Sequence, residues 1–420
     1  MRLNAALLLL LIPTSCAWVL AEESELGKLS DAHQMFLLRD ELSRRTESPD
    51  FYAGEVACVF NDTTRCEEQL RKTIAAEPKS IEAKQAHQVL AYASLREGRY
   101  KRSLLELDAL LAIDPKNDDA NETRPFFEAL SHFPDQKVQK SGTSKAAVHT
   151  DGGMVPLLIN GKNASYFFDT GANLSTMSES EALRLGMDIK DVNSGGGSAD
   201  VNGNSVLFRI AVAKTLSMGG IVLENVAFLI TGNEQQPFVD MAPGQRGLIG
   251  LPVLRAWGRI EWNREGIFKI DLSPKPSHVA KANLCFDNLL LISQASFEQH
   301  ELSFVLDTGA TTTDLWPKFA DVASELIRKS GTRESHTVTG VGGSQKFDSV
   351  SIPKVVLRLG GKSVVLQPAH VIKTKQRDAN KWFYGNLGND ALGQARDVAI
   401  DFRAMILELD PKPERRLQAR

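Results

Sequence analysis

One short phrase occurs twice in this chain, as Phe168-Asp169-Thr170-Gly171-Ala172 and as Leu306-Asp307-Thr308-Gly309-Ala310. Each copy follows a run of apolar, aromatic and β-branched residues, so each aspartate falls where a buried strand ends. Two carboxylates brought together at such strand ends repel each other, and one proton is retained by the pair. A pair of that kind activates water without a metal ion or a covalent intermediate.

Further landmarks repeat at the same spacing. The aspartates are 138 residues apart (307 − 169), and so are Gly250 and Gly388, within Gly247-Leu248-Ile249-Gly250-Leu251 and Gly385-Asn386-Leu387-Gly388-Asn389. In the second copy Asn386 interrupts an apolar pair. A third match sets Arg259-Ile260-Glu261-Trp262-Asn263-Arg264 against Ala399-Ile400-Asp401-Phe402-Arg403. Three landmarks in one order at nearly one spacing mark an internal duplication.

Local signals agree between the halves. Asn160-Gly161 separates Val155–Ile159 from Ala164–Phe168 and predicts a two-residue hairpin turn. Before Asp307, Leu289–Ile292 and Leu302–Leu306 repeat the pair around a longer, polar connection. Ser178-Glu179-Ser180-Glu181 predicts a capping box opening a short helix that stops at Gly186, with Pro317 to Arg328 as its counterpart. Gly171 and Gly309 suit loops where backbone approaches another segment closely.

The Asp-Thr-Gly-Ala phrases and their flanking landmarks resemble the active-site signature of aspartic proteases. Alanine after Asp-Thr-Gly is similar to the retroviral type, and two fused copies resemble bacterial retropepsin-like proteases over roughly residues 145 to 412. The resemblance implies a polypeptide substrate hydrolysed by Asp169 and Asp307, which share a proton and hold the attacking water. It also implies supporting roles for Thr170, Gly171, Thr308 and Gly309, with the threonines bonding across between the loops. Gly250 and Gly388 would lie on strands crossing behind those loops. One chain supplies both aspartates, so a monomer suffices for one site. A glycine-rich flap would cover the substrate. Its candidates are Ser194-Gly195-Gly196-Gly197-Ser198 with Val201-Asn202-Gly203-Asn204, and Thr339-Gly340-Val341-Gly342-Gly343. Neither holds a flap tyrosine like that of pepsin-like enzymes. The competing function class is a catalytically inactive peptide- or protein-binding protein that keeps the same lobes.

The first part of the chain differs in kind. Arg2, an apolar run from Ala5 to Ile12 and Val19-Leu20-Ala21 read as a secretory signal over residues 1–21. The expected location is periplasmic or secreted, with an uncleaved anchor or a lipoprotein site at Cys16 as alternatives. No later segment has the length of an apolar spanning helix. Ala86 to Pro115 shows helical periodicity, with Gly98, Tyr100 and Pro115 placed as in a tetratricopeptide repeat, and a looser unit runs from Phe51 to Pro78. The helices read as a cap on the following body or as a surface for a protein partner. The expected fold is thus multidomain: an all-α TPR-like segment (22–135), a linker (136–149), and a mainly β bilobal aspartic-protease fold. The latter comprises two retropepsin-like β-barrel lobes (150–275 and 276–412), followed by a basic tail (413–420).

Composition adds exclusions. A formal net charge of −3 leaves no nucleic-acid footprint. Of four cysteines, Cys58 and Cys66 would lie on adjoining helices, where a disulfide fits an oxidising compartment. Cys285 reads as a small buried hydrophobe. No Cys/His cluster has metal-ligand spacing, no cofactor is implied, and His336 beside the second flap candidate reads as solvated.

Overall fold

The computed structural model describes residues 25–139, 143–192, 198–199, 205–206, 209–274, 281–340, 343–373 and 379–411. The expected signal and basic tail lie outside these residues.

Helices occupy 25–131, and β-rich barrel lobes follow. Two helical hairpins form where the repeat spacing places them: Asp50–Val59 with Thr63–Ala76, then Ile81–Arg96 with Tyr100–Ile113. Asp62 and Ser80 cap the helices they precede by accepting the N–H groups of Arg65 and Ala83. A disulfide joins Cys58 to Cys66 across the first hairpin, with Cα atoms 4.7 Å apart. Among the described residues, no helix is long and apolar enough to cross a membrane.

The two lobes repeat one topology. In the first, Lys162–Phe168 runs parallel to Gly247–Ile249, which is antiparallel to Ser175–Ser178, itself parallel to Ile221–Thr231. In the second, His300–Leu306 runs parallel to Gly385–Leu387, which is antiparallel to Asp314–Leu315, itself parallel to Ala369–Ile372. Each aspartate follows the first strand of its set and is clasped by the strand that crosses behind it. The third repeated landmark has a use that the pattern alone did not show. Arg259–Asn263 pairs with Asp397–Asp401, Ile260 opposite Ile400, inside a five-stranded sheet built from both halves. Phe168, just before Asp169, stacks edge-on against Trp262 and tilts against Phe268 of that sheet. The shared sheet therefore underpins the loop that carries Asp169 directly.

Several local expectations change in detail. Asn160 and Gly161 both take positive φ, as the two-residue turn requires. Before Asp307 the connection is short, because Leu290–Phe297 continues as a strand until Phe297 pairs with His300. Alternate burial of Ala295 and Phe297 explains why those positions remain in the sheet. The counterpart helix is broken into Pro317–Val322 and Ser324–Ser330. Only half of the capping box forms. Ser178 Oγ accepts the Glu181 N–H, but the Glu181 carboxylate is taken by Tyr166, Arg184 and the Gly244 N–H. Within the segment 136–149, Lys137–Val138 and Lys145–His149 are strands, the latter an edge of the shared sheet.

The helical segment packs on both lobes. Its residues Leu107, Phe127 and Leu130 share a core with Ile210 and Ala227 of the first lobe, while Met35, Phe36 and Leu38 share one with Ile292, Val305 and Trp316 of the second. Tyr100 plugs an edge of the first lobe, donating to the Asn225 carbonyl and accepting the Ala227 N–H. On the second lobe, Arg96 donates to the Asn288 carbonyl and lies over the Phe286 ring. Tyr100 thus serves as a docking residue as well as a residue of the repeat pattern.

Candidate active site

Asp169 and Asp307 come together. A Cβ placed on Gly171 would stand 2.6 Å from the Asp307 carboxyl carbon, and one on Gly309 would stand 2.5 Å from that of Asp169. Each glycine is therefore the floor on which the other lobe's carboxylate rests, and no larger residue leaves room for it. The threonines tie the loops together. Thr170 Oγ1 donates to the Leu306 carbonyl at 2.7 Å and accepts the Thr308 N–H at 3.0 Å. Thr308 Oγ1 donates to the Phe168 carbonyl at 3.1 Å and accepts the Thr170 N–H at 3.0 Å. Both threonines are buried.

The 138-residue offset persists in the hydrogen bonds. The Asp169 N–H donates to Ile249 and the Asp307 N–H to Leu387. Gly250 N–H donates to Ser175 Oγ and Gly388 N–H to Thr313 Oγ1. Leu251 N–H donates to Ala172 and Asn389 N–H to Ala310. The two glycines behind the loops are needed for contact: a Cβ on Gly250 would meet the Leu174 carbonyl carbon at 2.4 Å, and one on Gly388 the Thr312 oxygen at 2.6 Å.

Symmetry stops at the carboxylates. Asp307 Oδ1 accepts the N–H groups of Gly309 and Ala310, and its Oδ2 accepts Asn386 Nδ2 at 2.8 Å. Asp169 Oδ1 accepts the Gly171 N–H at 2.8 Å. In the first lobe the position matching Asn386 (386 − 138) is Leu248, which offers no donor. Burial, followed by the neighbouring Asp307 charge, holds the Asp169 carboxyl well above the usual range, against the opposing pull of the Gly171 and Gly309 N–H groups. A proton therefore stays on this site at pH values where a solvated aspartic acid has lost its own. Such a pair presents one acceptor and one donor to whatever lies between the lobes.

The flap calls divide. Gly196, Gly197 and Gly342 lie outside the described residues. Gly343 opens the strand Gly343–Ile352, which pairs with Thr332–Gly340 as a long hairpin closing at Gly340 opposite Gly343. In the first half, Ser198–Ala199 pairs with Ser205–Val206. His336 is not solvated: its Nε2 bonds Asp314 Oδ1 at 2.7 Å and its ring stacks on His370 at 4.2 Å. Cys285 is a free, buried thiol. Among the described residues, no three His, Cys, Asp or Glu side chains group as a metal site. A cavity of about 400 Å³ opens at the seam between the helices and the second lobe, lined in part by His33, Glu55, Arg96 and Asp287, and includes neither aspartate of the pair.

Residues 155–256 match a family described as "gag-polyprotein putative aspartyl protease". The first lobe is thus similar to retropepsin-like aspartyl protease domains. This stretch carries Asp169, its supporting Thr170 and Gly171, and Gly250; Asp307 lies beyond it. The chain also aligns with the crystal structure of a retropepsin-like aspartic protease from Rickettsia conorii, at 12% identity and a TM-score of 0.23, over 33% of this chain and 94% of that one. No curated protein matches the sequence. For the retropepsin-like lobe, the family match supports aspartic-protease function.

Of the residues that mattered, sequence reasoning passed over Asn386. It registered only as a flaw in an apolar pair. Its signal was the mismatch itself, a polar side chain at a position whose twin is Leu248.

Proposed function

We propose that the protein is an exported aspartic endopeptidase in which Asp169 and Asp307 form the catalytic dyad. The observation that carries this reading is the reciprocal contact of each carboxylate with the other loop's glycine, fixed by the crossed threonines. One carboxylate takes a proton from the bound water as its oxygen bonds to the peptide carbonyl carbon. The other gives its proton to the carbonyl oxygen, producing a tetrahedral diol. Collapse of the diol breaks the C–N bond: the amine leaves with the first proton, and a diol hydroxyl returns the second. Substrate lies as an extended peptide across the lobes, beneath the Thr332–Ile352 hairpin. Export rests on residues 2–21 and agrees with the Cys58–Cys66 disulfide, which persists in oxidising compartments. The helical segment serves as a brace spanning both lobes.

Digestion of a peptide library is the test. Wild-type protein should cut it, while Asp169→Asn and Asp307→Asn should each fail to. Library cleavage that survives both substitutions would reject the dyad, and cleavage absent from folded wild-type protein across pH 3–8 would reject the assignment in favour of a binding role. Export is tested by fusing residues 1–30 to a reporter active only outside the cytoplasm.

A further inference from the structure

We propose that Asn386 is a positioning residue that sets the division of labour in the dyad: it holds Asp307 as the carboxylate that accepts the water's proton, and leaves Asp169 as the acid. This rests on the dyad reading above and goes beyond it, since a symmetric pair has no intrinsic acid or base.

The argument is a count of donors. A hydrogen bond to a carboxylate stabilises its charged form, and bonds to charged acceptors are stronger than neutral ones. Asp307 receives two backbone N–H groups on Oδ1 and the Asn386 amide on Oδ2, so both of its oxygens are engaged by donors. Asp169 receives Gly171 on Oδ1 and feels the Gly309 N–H from across the seam, and Leu248 stands where a matching amide would reach it. The duplicated backbone contributes nearly equally to both sides. The asymmetry comes from one side chain. Burial and the Asp307 charge then keep the proton on Asp169.

Asn386 is held for this task. Its strand, Gly385–Leu387, pairs with both neighbours: Asn386 lies beside Val305 on one side and opposite Asp314 on the other. The other ionisable groups near this strand belong to one network. Asp314, held above its usual range by burial, accepts from His336, which stacks on His370, with Glu334 beside His370. That network is already internally paired and leaves the Asn386 amide directed at Asp307.

Two measurements on the full chain test the assignment. The first labels aspartate carboxyl carbons with ¹³C and assigns the dyad signals with Asp169→Asn and Asp307→Asn. At pH 6 the wild-type proton should reside on Asp169. In Asn386→Leu, which copies the first lobe, it should be shared more evenly. In Leu248→Asn/Asn386→Leu, which moves the amide across, it should reside on Asp307. The second measurement is the pH profile of peptide cleavage. Asn386→Leu should move the acidic limb up by about one pH unit and lower kcat there about tenfold, with KM within about twofold. The double variant should move that limb back toward wild type. An unchanged proton location together with an unchanged acidic limb in Asn386→Leu would overturn the proposal. Should wild-type protein cut nothing, the protease reading fails by itself, while the carboxyl signals still decide the role of Asn386.

Discussion

Leu248 and Leu251 stand behind the first Asp-Thr-Gly loop where Asn386 and Asn389 stand behind the second. Around these positions the lobes have the same strand order, the same crossed threonines and the same backbone hydrogen bonds at one offset. Asn386 donates to Asp307, and Asn389 Nδ2 donates to the Thr308 carbonyl at 2.7 Å. What the pair teaches is a separation of tasks. Backbone and the small residues Gly and Thr build a symmetric cradle, and a few side chains behind it make its two halves chemically unequal. The first lobe is the apolar version, with an aspartic acid that keeps its proton. The second is the amide-lined version, with a carboxylate held by three protein donors.

The largest effects should come from the aspartates, and they should be unequal in stability while equal in activity. Asp169→Asn and Asp307→Asn should each lower turnover by at least about 10³-fold, read from peptide cleavage rates. Asp169 has a folded-state value raised above its ordinary 3.8. Folding therefore carries a penalty that is absent at pH below that ordinary value and grows as pH rises through it toward the raised one. Asp169→Asn removes the penalty, so its melting temperature should exceed wild type by a few degrees at pH 7 and by nothing at pH 3. Asp307→Asn also removes a like charge but leaves three N–H groups without a charged acceptor, so its gain at pH 7 should be smaller or reversed. Equal thermal shifts for the two variants would dissolve the contrast between the lobes.

Gly171→Ala and Gly309→Ala test the symmetric part of the cradle. Each methyl would intrude to 2.6 or 2.5 Å from a carboxyl carbon that hydrogen bonds hold in place. Displacing a reacting group by about an ångström costs on the order of 10²-fold in rate. Both substitutions should reach that loss, to similar extents. A substantially milder effect in one lobe would show that its partner carboxylate can yield.

The threonines come next, measured by chemical denaturation. Thr170→Ala strands the Leu306 carbonyl and the Thr308 N–H; Thr308→Ala strands the Phe168 carbonyl and the Thr170 N–H. Two buried groups left unpaired cost about 2–4 kcal/mol together, and the two variants should agree within about 1 kcal/mol. Thr→Ser keeps the hydroxyl and should cost less than about 1 kcal/mol at either site.

Much of this was legible in the chain because the cradle tolerates so few residue types. A loop whose backbone lies against a carboxylate requires glycine, and a hydroxyl that both donates and accepts requires threonine or serine, so both copies keep these residues and their spacing. The offset of 138 could be read before any fold was known. Other features depend on three-dimensional encounters that leave little local trace. Arg259–Asn263 and Asp397–Asp401 looked like parallel endings of two halves, whereas they are partners in one sheet. Arg96 and Tyr100 sat within a helical repeat pattern, and nothing local showed that they dock on different lobes. Asn386 looked like a lapse in an apolar strand because its value lies in a carboxylate 79 residues away in sequence. Glu181 likewise fitted a capping box, until a buried tyrosine and an arginine claimed its oxygens.

The smallest effect belongs to Asn389, and it separates support of the loop from control of its charge. Its amide reaches the Thr308 carbonyl, a neutral acceptor, whereas Asn386 reaches the carboxylate itself. Asn389→Leu restores the residue of the first lobe and removes one neutral hydrogen bond, for a loss of about 1 kcal/mol in denaturation. The Asn389 N–H bond to Ala310 is made by backbone and survives the change. Because no donor to Asp307 is lost, the pH profile of cleavage should stay where it is. A shifted acidic limb in Asn389→Leu would mean that both amides act on the dyad through the loop, and the asymmetry could no longer be credited to Asn386 alone.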